Sequence, residues 1–445
     1  MARLFGTDGI RGVANKELDC LLAMKTGQAA AEVLTGMSHH RPLFVIGKDT
    51  RISSDMLESA LAAGICSVGG DVLLLGAVPT PAVAYLTVKL RADAGIMISA
   101  SHNPYEYNGI KLFGAEGFKL TDETEDKIEE VIGRGASLKL GGEIGRIRDA
   151  KNEVGKYIDY IIHSAEKDLS GLKVLFDCAN GSASATARDI FLKLIPNAGF
   201  LADEPDGINI NDGCGSTQLD ILGKKVVEGG YDIGVAFDGD ADRCLIINEN
   251  GGAVDGDHIM AVCGTHLKKE GRLRGDTIVA TVMSNLGFHM FAGENGLKVV
   301  CAAVGDRYVL EEMQKGGYVL GGEQSGHLIF LDEATTGDGQ LTAVKYLSVL
   351  AASGGKASQL DEGIKQYPQV LKNVTVSNEK KQLLTEDKTV AEETEKAKKL
   401  LGGNGRILVR PSGTEALVRV MVEGFEYSAV NEACDIIVNA IEKLK

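Results

Sequence analysis

Ser101 is followed directly by His102 and, ten residues on, by Lys111. A hydroxyl with two such neighbours has at hand the groups that handle a proton or a phosphate. Asn103-Pro104 marks a turn, so the hydroxyl is held on a loop. A serine in this position also suits a helix cap, and the pair alone does not decide between the two. Further along, Asp238, Asp240 and Asp242 occupy alternate positions of a run that ends in Arg243. At ~5 Å and an effective dielectric of 20, each pair of carboxylates repels by roughly 3 kcal/mol. A divalent cation removes that cost, and an all-oxygen donor set selects a hard ion such as Mg²⁺. A phosphate oxygen on Ser101 can complete such a shell, which places Ser101 among the metal ligands, and Arg243 then stands beside the phosphoryl group. Asp238, Asp240, Asp242 and Glu249 also match positions 1, 3, 5 and 12 of a calcium EF-hand loop. Position 6, where that loop needs glycine, is Arg243, and the strand-like Cys244-Leu245-Ile246-Ile247 comes next in place of a helix.

Two more segments can hold a ligand. Gly322-Glu323-Gln324-Ser325-Gly326-His327 presents a carboxylate and a hydroxyl on a glycine-flanked turn, suited to vicinal sugar hydroxyls. A plain hairpin turn would carry the same glycines, and the residues leave both readings open. Arg410-Pro411-Ser412-Gly413-Thr414 suits a dianion: amides around Gly413 can form an anion-binding concavity, and Arg410 and Arg419 can close on phosphate oxygens. A capped turn between two strands is the alternative. Near the N-terminus, Thr7, Gly9 and Arg11 share a glycine-punctuated loop. Asp49 and Arg51 read as an ion pair that fixes another loop.

Buried strands must position these loops. Ala94-Gly95-Ile96-Met97-Ile98 precedes the serine and Ile233-Gly234-Val235-Ala236-Phe237 precedes the aspartates. Both read as strands of a parallel sheet with the ligand at the carboxyl end. Leu43 to Gly47, a helix from Ser54 to Val68, and Asp71 to Leu75 form one strand–helix–strand unit. Val174 to Asp177 with a helix from Ser182 forms a second, and Thr277 to Thr281 with Val299 to Val304 a third. Such alternation favours parallel sheets covered by helices on both faces. The tail reads as α+β: strands at Asn373 to Ser377, Arg406 to Arg410 and Leu417 to Val422, with helices at Thr385 to Leu401 and Tyr427 to Leu444.

Length suggests roughly three domains for 445 residues. The net charge of −15 argues against nucleic acid, since no basic block replaces counterions along a phosphate backbone. Any phosphate site must be a local basic pocket in an acidic surface. The apolar stretch from Val72 to Val88 is interrupted by Pro79 and Pro81 and reads as core, so no membrane association is expected. The eight cysteines form no C-x-x-C pair, and several, such as Cys301 within Val299-Val300-Cys301, read as small buried hydrophobes. Reduced thiols and a cytoplasmic location are expected.

The ordered series Ser101-His102-Asn103-Pro104, Asp238-Gly239-Asp240-Ala241-Asp242-Arg243, Gly322 to His327 and Arg410 to Glu415 resembles the motif series of the α-D-phosphohexomutases. The likeness runs from residue 4 to about residue 424. Phe5-Gly6-Thr7-Asp8-Gly9-Ile10-Arg11-Gly12, Asp212 to Thr217 and Val304-Gly305-Asp306-Arg307-Tyr308 fit best the branch that interconverts the 6- and 1-phosphates of glucosamine, supplying amino-sugar precursors of the cell wall. Gln218 and Tyr107 depart from it, standing where histidine and an acidic residue are common.

The resemblance implies three similar mixed-sheet α/β domains and a C-terminal α+β domain around a central cleft. Their expected spans are 1–153 with the phosphoserine loop, 154–253 with the metal loop, 254–368 with the sugar loop, and 369–445 with the phosphate loop. It further implies Mg²⁺ and a glucosamine or glucose 1,6-bisphosphate activator, with a phosphosugar as the small-molecule partner. A homodimer is compatible with the sequence but not specified by it. Ser101 becomes the phosphoryl carrier and Arg11 lies against it; Glu323, Ser325 and His327 face the sugar; Arg410, Ser412, Gly413, Thr414 and Arg419 hold the distal phosphate. Lys111, or else His102, takes the proton from the attacking hydroxyl, and a lysine base needs its pKa lowered by neighbouring cations. Other readings are a mutase for mannose or glucose phosphates and a sugar-phosphate sensor that transfers nothing.

Overall fold

The computed structural model describes residues 3–6, 8–35, 40–377, 379–403, 405–412 and 416–444. The chain divides into two compact units, Met1–Met283 with Leu297–Glu362, and Ser284–Gly296 with Gly363–Lys445.

The first unit contains three sheets. The six-stranded sheet has the order Ile10–Val13, Tyr107–Gly114, Ala94–Ile98, Leu43–Lys48, Asp71–Ala77, Ile147–Asp149. The five-stranded sheet runs Ala253–Val254, Cys244–Asn248, Ile233–Phe237, Val174–Asp177, Gly199–Leu201. The four-stranded sheet runs Lys298–Ala302, Thr277–Thr281, Leu320–Gly322, Leu328–Phe330. All five residues of Ala94–Ile98 and of Ile233–Phe237 are buried, as expected of unbroken apolar runs in the middle of a sheet.

The sheets are mixed, as the family resemblance implies, and not the purely parallel ones that strand–helix alternation alone suggests. Each has a parallel part and an antiparallel hairpin: Ala94–Ile98 with Tyr107–Gly114, Ile233–Phe237 with Cys244–Asn248, and Leu320–Gly322 with Leu328–Phe330. An apolar strand buried on both faces looks alike beside a parallel or an antiparallel neighbour, so the sequence pattern does not tell them apart. Each hairpin loop carries one of the motifs, Ser99 to Glu106, Asp238 to Arg243 and Glu323 to His327.

The second unit is α+β. Its sheet is antiparallel in the order Gln369–Thr375, Leu417–Gly424, Gly405–Pro411, and helices Lys388–Leu400 and Tyr427–Leu444 pack on it through Val390, Ala397, Cys434 and Ile437. Here too the candidate loop joins two antiparallel strands. Helix Leu286–Glu294 clusters with this unit, where Asn285 Nδ2 donates to the Tyr367 carbonyl at 3.1 Å.

No helix among the described residues is long and apolar enough to cross a membrane. The stretch from Val72 to Val88 is divided between strand Asp71–Ala77 and helix Thr80–Lys89. Six cysteines are buried, whereas Cys20 and Cys301 are exposed. For Cys301 this corrects the buried reading: Lys298–Ala302 is an edge strand, so its apolar pattern is only partly covered.

Candidate active site

Ser101 lies three residues past strand Ala94–Ile98, with φ of 53°. A left-handed backbone costs a non-glycine residue roughly 1–2 kcal/mol, so surrounding bonds must hold it. The Ser101 amide donates to Ser99 Oγ at 2.9 Å, and Ser99 Oγ donates to Asp49 Oδ2 at 2.6 Å. Arg51, buried and paired to Asp49 at 2.8 Å, donates to the carbonyls of Ser101 at 2.9 Å, Asn103 at 2.8 Å and Tyr107 at 3.0 Å, and to that of Pro104. Asn211 Nδ2 adds bonds to the Ser101 and Asn103 carbonyls at 2.9 and 3.1 Å. The Asp49–Arg51 pair is present, and Arg51 does more than steady its own loop: it ties down the serine loop. The helix-cap reading of Ser101 fails, since its hydroxyl faces the second sheet.

That hydroxyl donates to Asp238 Oδ2 at 2.6 Å, and His102 Nδ1 lies 3.3 Å from Ser101 Oγ. Asp238 ends its strand, and the next residue, Gly239, has no room for a side chain because a Cβ would come 2.5 Å from the Ser101 carbonyl oxygen. Loops from two sheets are thus in contact through a glycine. Burial, with Asp242 and Asp240 nearby, raises the Asp238 pKa well above the usual carboxylate range.

Ligand oxygens of Asp238, Asp240 and Asp242 lie within 4.8 Å of one another, and all three residues are buried. Asp240 Oδ1 and Asp242 Oδ1 are buried without a hydrogen-bond partner. Buried carboxylate oxygens without partners are costly, and a hard divalent cation would satisfy them. The donor set therefore fits the Mg²⁺ that the family implies. The EF-hand match is excluded, because Cys244–Asn248 is a strand and Glu249 bonds elsewhere, accepting from Ser358 N at 3.1 Å and Ser358 Oγ at 2.5 Å.

Lys111 comes from strand Tyr107–Gly114 and is 1% exposed. Its Nζ lies 2.8 Å from Asp240 Oδ2, 3.0 Å from Asp8 Oδ2 and 3.4 Å from Asp242 Oδ2. Burial by itself would lower its pKa, but Asp240, Asp8 and Asp242 outweigh burial and hold it as an ammonium. The expected lowering by neighbouring cations is thus reversed. His102 moves the other way, pushed down to about 4 by burial and by Arg243 and Arg11. Thr80 Oγ1 also donates to Asp240 Oδ2, at 2.5 Å.

Arg11 stands opposite Gly109 in the strand pairing and is bonded to Asp8. The Arg243 amide lies 3.2 Å from Asp238 Oδ1, and its Nε 3.9 Å from Asp242 Oδ1. Glu323 Oε1 accepts from the Gly305 amide at 3.1 Å and Glu323 Oε2 from Ser325 Oγ at 3.3 Å, so the Glu323 to His327 turn is a hairpin and also presents these groups. His327 is buried, with Nδ1 3.6 Å from Asp242 Oδ1 and Nε2 3.2 Å from the Gly337 amide. Behind it, Asp338 caps helix Gly339–Ser353, accepting from Leu341 N and from Tyr157 Oη, and burial raises its pKa to about 7.

In the second unit Arg410 and Arg419 are direct cross-strand partners. Like charges in that position repel unless an anion lies between them, and burial together with Arg419 lowers the Arg410 pKa. Lys381 Nζ donates to the Ser412 carbonyl at 2.6 Å. Thr7, Gly413 and Thr414 lie outside the described residues. Sequence reading gave no role to Asp8 and Asp306, although both lie in quoted motif segments, and missed Thr80, Asn211 and Lys119, which have no local pattern to mark them.

Models of the phosphoglucomutase/phosphomannomutase family match the chain in four consecutive pieces. Alpha/beta/alpha domain I matches residues 2–139, domain II 155–252, domain III 255–367 and the C-terminal domain 371–440. The phosphoglucosamine mutase of Thermoanaerobacter sp. (strain X514) is 52% identical over 445 residues, covering 100% of this chain and 99% of the relative. That of Acetivibrio thermocellus is 51% identical over 446 residues, with the same coverage. The crystal structure of a phosphoglucomutase/phosphomannomutase family protein from Burkholderia thailandensis matches with a TM-score of 0.80 at 22% identity, over 99% of this chain and 97% of that one. The chain belongs to the phosphoglucomutase/phosphomannomutase family, the α-D-phosphohexomutases. Within that family it groups with the phosphoglucosamine mutases, and it is an enzyme of the mutase class.

Proposed function

We propose that the enzyme interconverts glucosamine 6-phosphate and glucosamine 1-phosphate, with Ser101 as phosphoryl carrier. The observation that carries this reading is the placement of Ser101 Oγ 2.6 Å from Asp238, on the rim of a buried three-aspartate cluster. The Oγ–P bond of phosphorylated Ser101 breaks as a free sugar hydroxyl bonds to that phosphorus and gives up its proton. The resulting 1,6-bisphosphate turns around, and its other phosphoryl group returns to Ser101. Such transfers ask the protein chiefly for positioning and charge neutralisation.

Mg²⁺ on Asp238, Asp240 and Asp242 would neutralise charge on the transferring group. Arg11 and Arg243 supply fixed positive charge nearby. The proton is handled by Lys111 or His102: His102 stands uncharged 3.3 Å from Ser101 Oγ, whereas Lys111, held as an ammonium, must first release its own proton to act as base. Glu323 and Ser325 read the sugar hydroxyls. Arg410, Arg419 and the loop of Ser412, Gly413 and Thr414 hold the phosphate that is not reacting.

Initial rates on glucosamine, glucose and mannose phosphates test the substrate, and preference for either neutral sugar would overturn it. Intact-mass measurement tests transfer: a protein that takes no phosphate from glucose 1,6-bisphosphate would be a sensor.

A further inference from the structure

Lys119 lies outside every motif considered above. Its ammonium contacts both Asp8 and Asp306. Each of these carboxylates also reaches a residue of the active site: Asp8 Oδ2 is 3.0 Å from Lys111 Nζ, and Asp306 Oδ2 is 3.5 Å from His327 Nε2. Lys111 and His327 then meet at one residue, Asp242, at 3.4 and 3.6 Å. The contacts close on themselves. Lys119, Asp8, Lys111, Asp242, His327 and Asp306 form a ring in which basic and acidic groups alternate.

The ring joins segments far apart in sequence: the N-terminal loop, strand Tyr107–Gly114 with the turn after it, the metal loop, the first residue of helix Asp306–Gly316, and the sugar loop. Asp8 and Asp306 are both drawn onto one ammonium. Without it two largely buried carboxylates would face each other with no cation between them, Asp8 keeping Arg11 and Lys111 and Asp306 only the more distant His327. As the two swing apart, Lys111 would lose one of the three carboxylates that fix Nζ, and His327 would lose one of two groups beside Nε2, keeping only the Gly337 amide.

We propose that Lys119, acting through Asp8 and Asp306, is a positioning residue that fixes Lys111 and His327 against the metal loop for phosphoryl transfer. This rests on the reading of Lys111 and His327 as active-site residues given above.

The test compares Lys119→Gln, Lys119→Arg and the charge-balanced double variant Lys119→Gln/Asp306→Asn in full-length, Mg²⁺-loaded enzyme. Steady-state rates are taken on glucosamine 6-phosphate, and thermal melts are recorded by circular dichroism. Misplacing reacting groups by about 1 Å costs up to about a hundredfold, so kcat of Lys119→Gln should fall at least about tenfold with KM changed less than about threefold. Lys119→Arg, which can still bridge two carboxylates, should recover most of that loss. If Lys119→Gln does not fold, the double variant, which leaves no unpaired carboxylate at position 306, is read by the same criteria. A folded variant with kcat near the wild-type value, or with its whole loss in KM, overturns the proposal and leaves Lys119 a structural ion pair. Lys111→Met is measured alongside. Full turnover there would overturn the active-site reading itself, whereas an inactive Lys111→Met beside an unimpaired Lys119→Gln would overturn the positioning role alone.

Discussion

Arg51 Nη2 donates to the carbonyl of Ser101 at 2.9 Å, so a buried guanidinium from one loop holds the backbone of the proposed phosphoryl carrier on another. With Asp49 on its Nε and further carbonyls on its remaining nitrogens, Arg51 fills its hydrogen-bonding capacity inside the protein. The left-handed conformation at Ser101 is sustained by these bonds and not by the local sequence.

Arg51→Lys keeps the charge but cannot reach all these carbonyls at once. Leaving one or two buried acceptors unsatisfied costs about 1–3 kcal/mol each. Urea unfolding should show a loss of that order, and kcat should fall more than the stability loss explains. An Arg51→Lys enzyme with normal kcat would mean that the serine loop keeps its shape without the fork.

Ser101→Ala should abolish turnover and leave the fold and sugar-phosphate binding within about tenfold of wild type, because in the proposed mechanism the serine carries the phosphoryl group and does not bind the sugar phosphate. Calorimetric binding of glucosamine 6-phosphate alongside a mutase assay checks both halves. Residual mutase activity would remove Ser101 from the mechanism.

Asp240→Asn should weaken Mg²⁺ binding and turnover together. The structure adds that Asp240 is bonded to Lys111 and Thr80, so the substitution also removes an attractive contact and not only repulsion among the aspartates. Magnesium should raise the melting temperature of wild type clearly and that of the variant little; an equal rise in both would place the cation elsewhere.

Asp338 gives a pH dependence with a definite sign. Its pKa in the folded protein is about 7, against about 3.9 for an unfolded aspartate, so the folded state holds the extra proton between these values. The stability this contributes is complete below about pH 4 and is lost as pH rises through about 7. Asp338→Asn keeps an acceptor for the Leu341 amide and removes the titration. The wild-type melting temperature should therefore fall relative to that of the variant between pH 4.5 and 8, by an amount on the order of a few kcal/mol of stability. Parallel curves would show that Asp338 is ionised throughout.

The strands that lead into the loops were legible because buried apolar runs leave few alternatives: Val174–Asp177 and Ile233–Phe237 lie where the sequence places them. So was the clustering of Asp238, Asp240 and Asp242, whose alternate spacing brings their carboxylates within 4.8 Å of one another. Strand direction was not legible in the apolar pattern, because a strand buried on both faces looks alike beside a parallel or an antiparallel neighbour; only the family resemblance implied mixed sheets. The hairpins show that the turn reading and the ligand reading of Gly322 to His327 were never alternatives. The charge state of Lys111 was misread because Asp8, the carboxylate that completes its surroundings, stands about a hundred residues away, and its motif does not say which cation it meets.

The closed circuit through Lys119 also constrains how such sequences can drift. Exchanging Lys119 for a neutral residue removes the cation between two acids, and exchanging Asp8 or Asp306 alone takes from Lys119 one of its two carboxylates. Single steps are penalised where compensated double steps are not. Among distant members of the family, positions 8, 119 and 306 should therefore be inherited as a set or abandoned as a set, although no two of them are close in the chain.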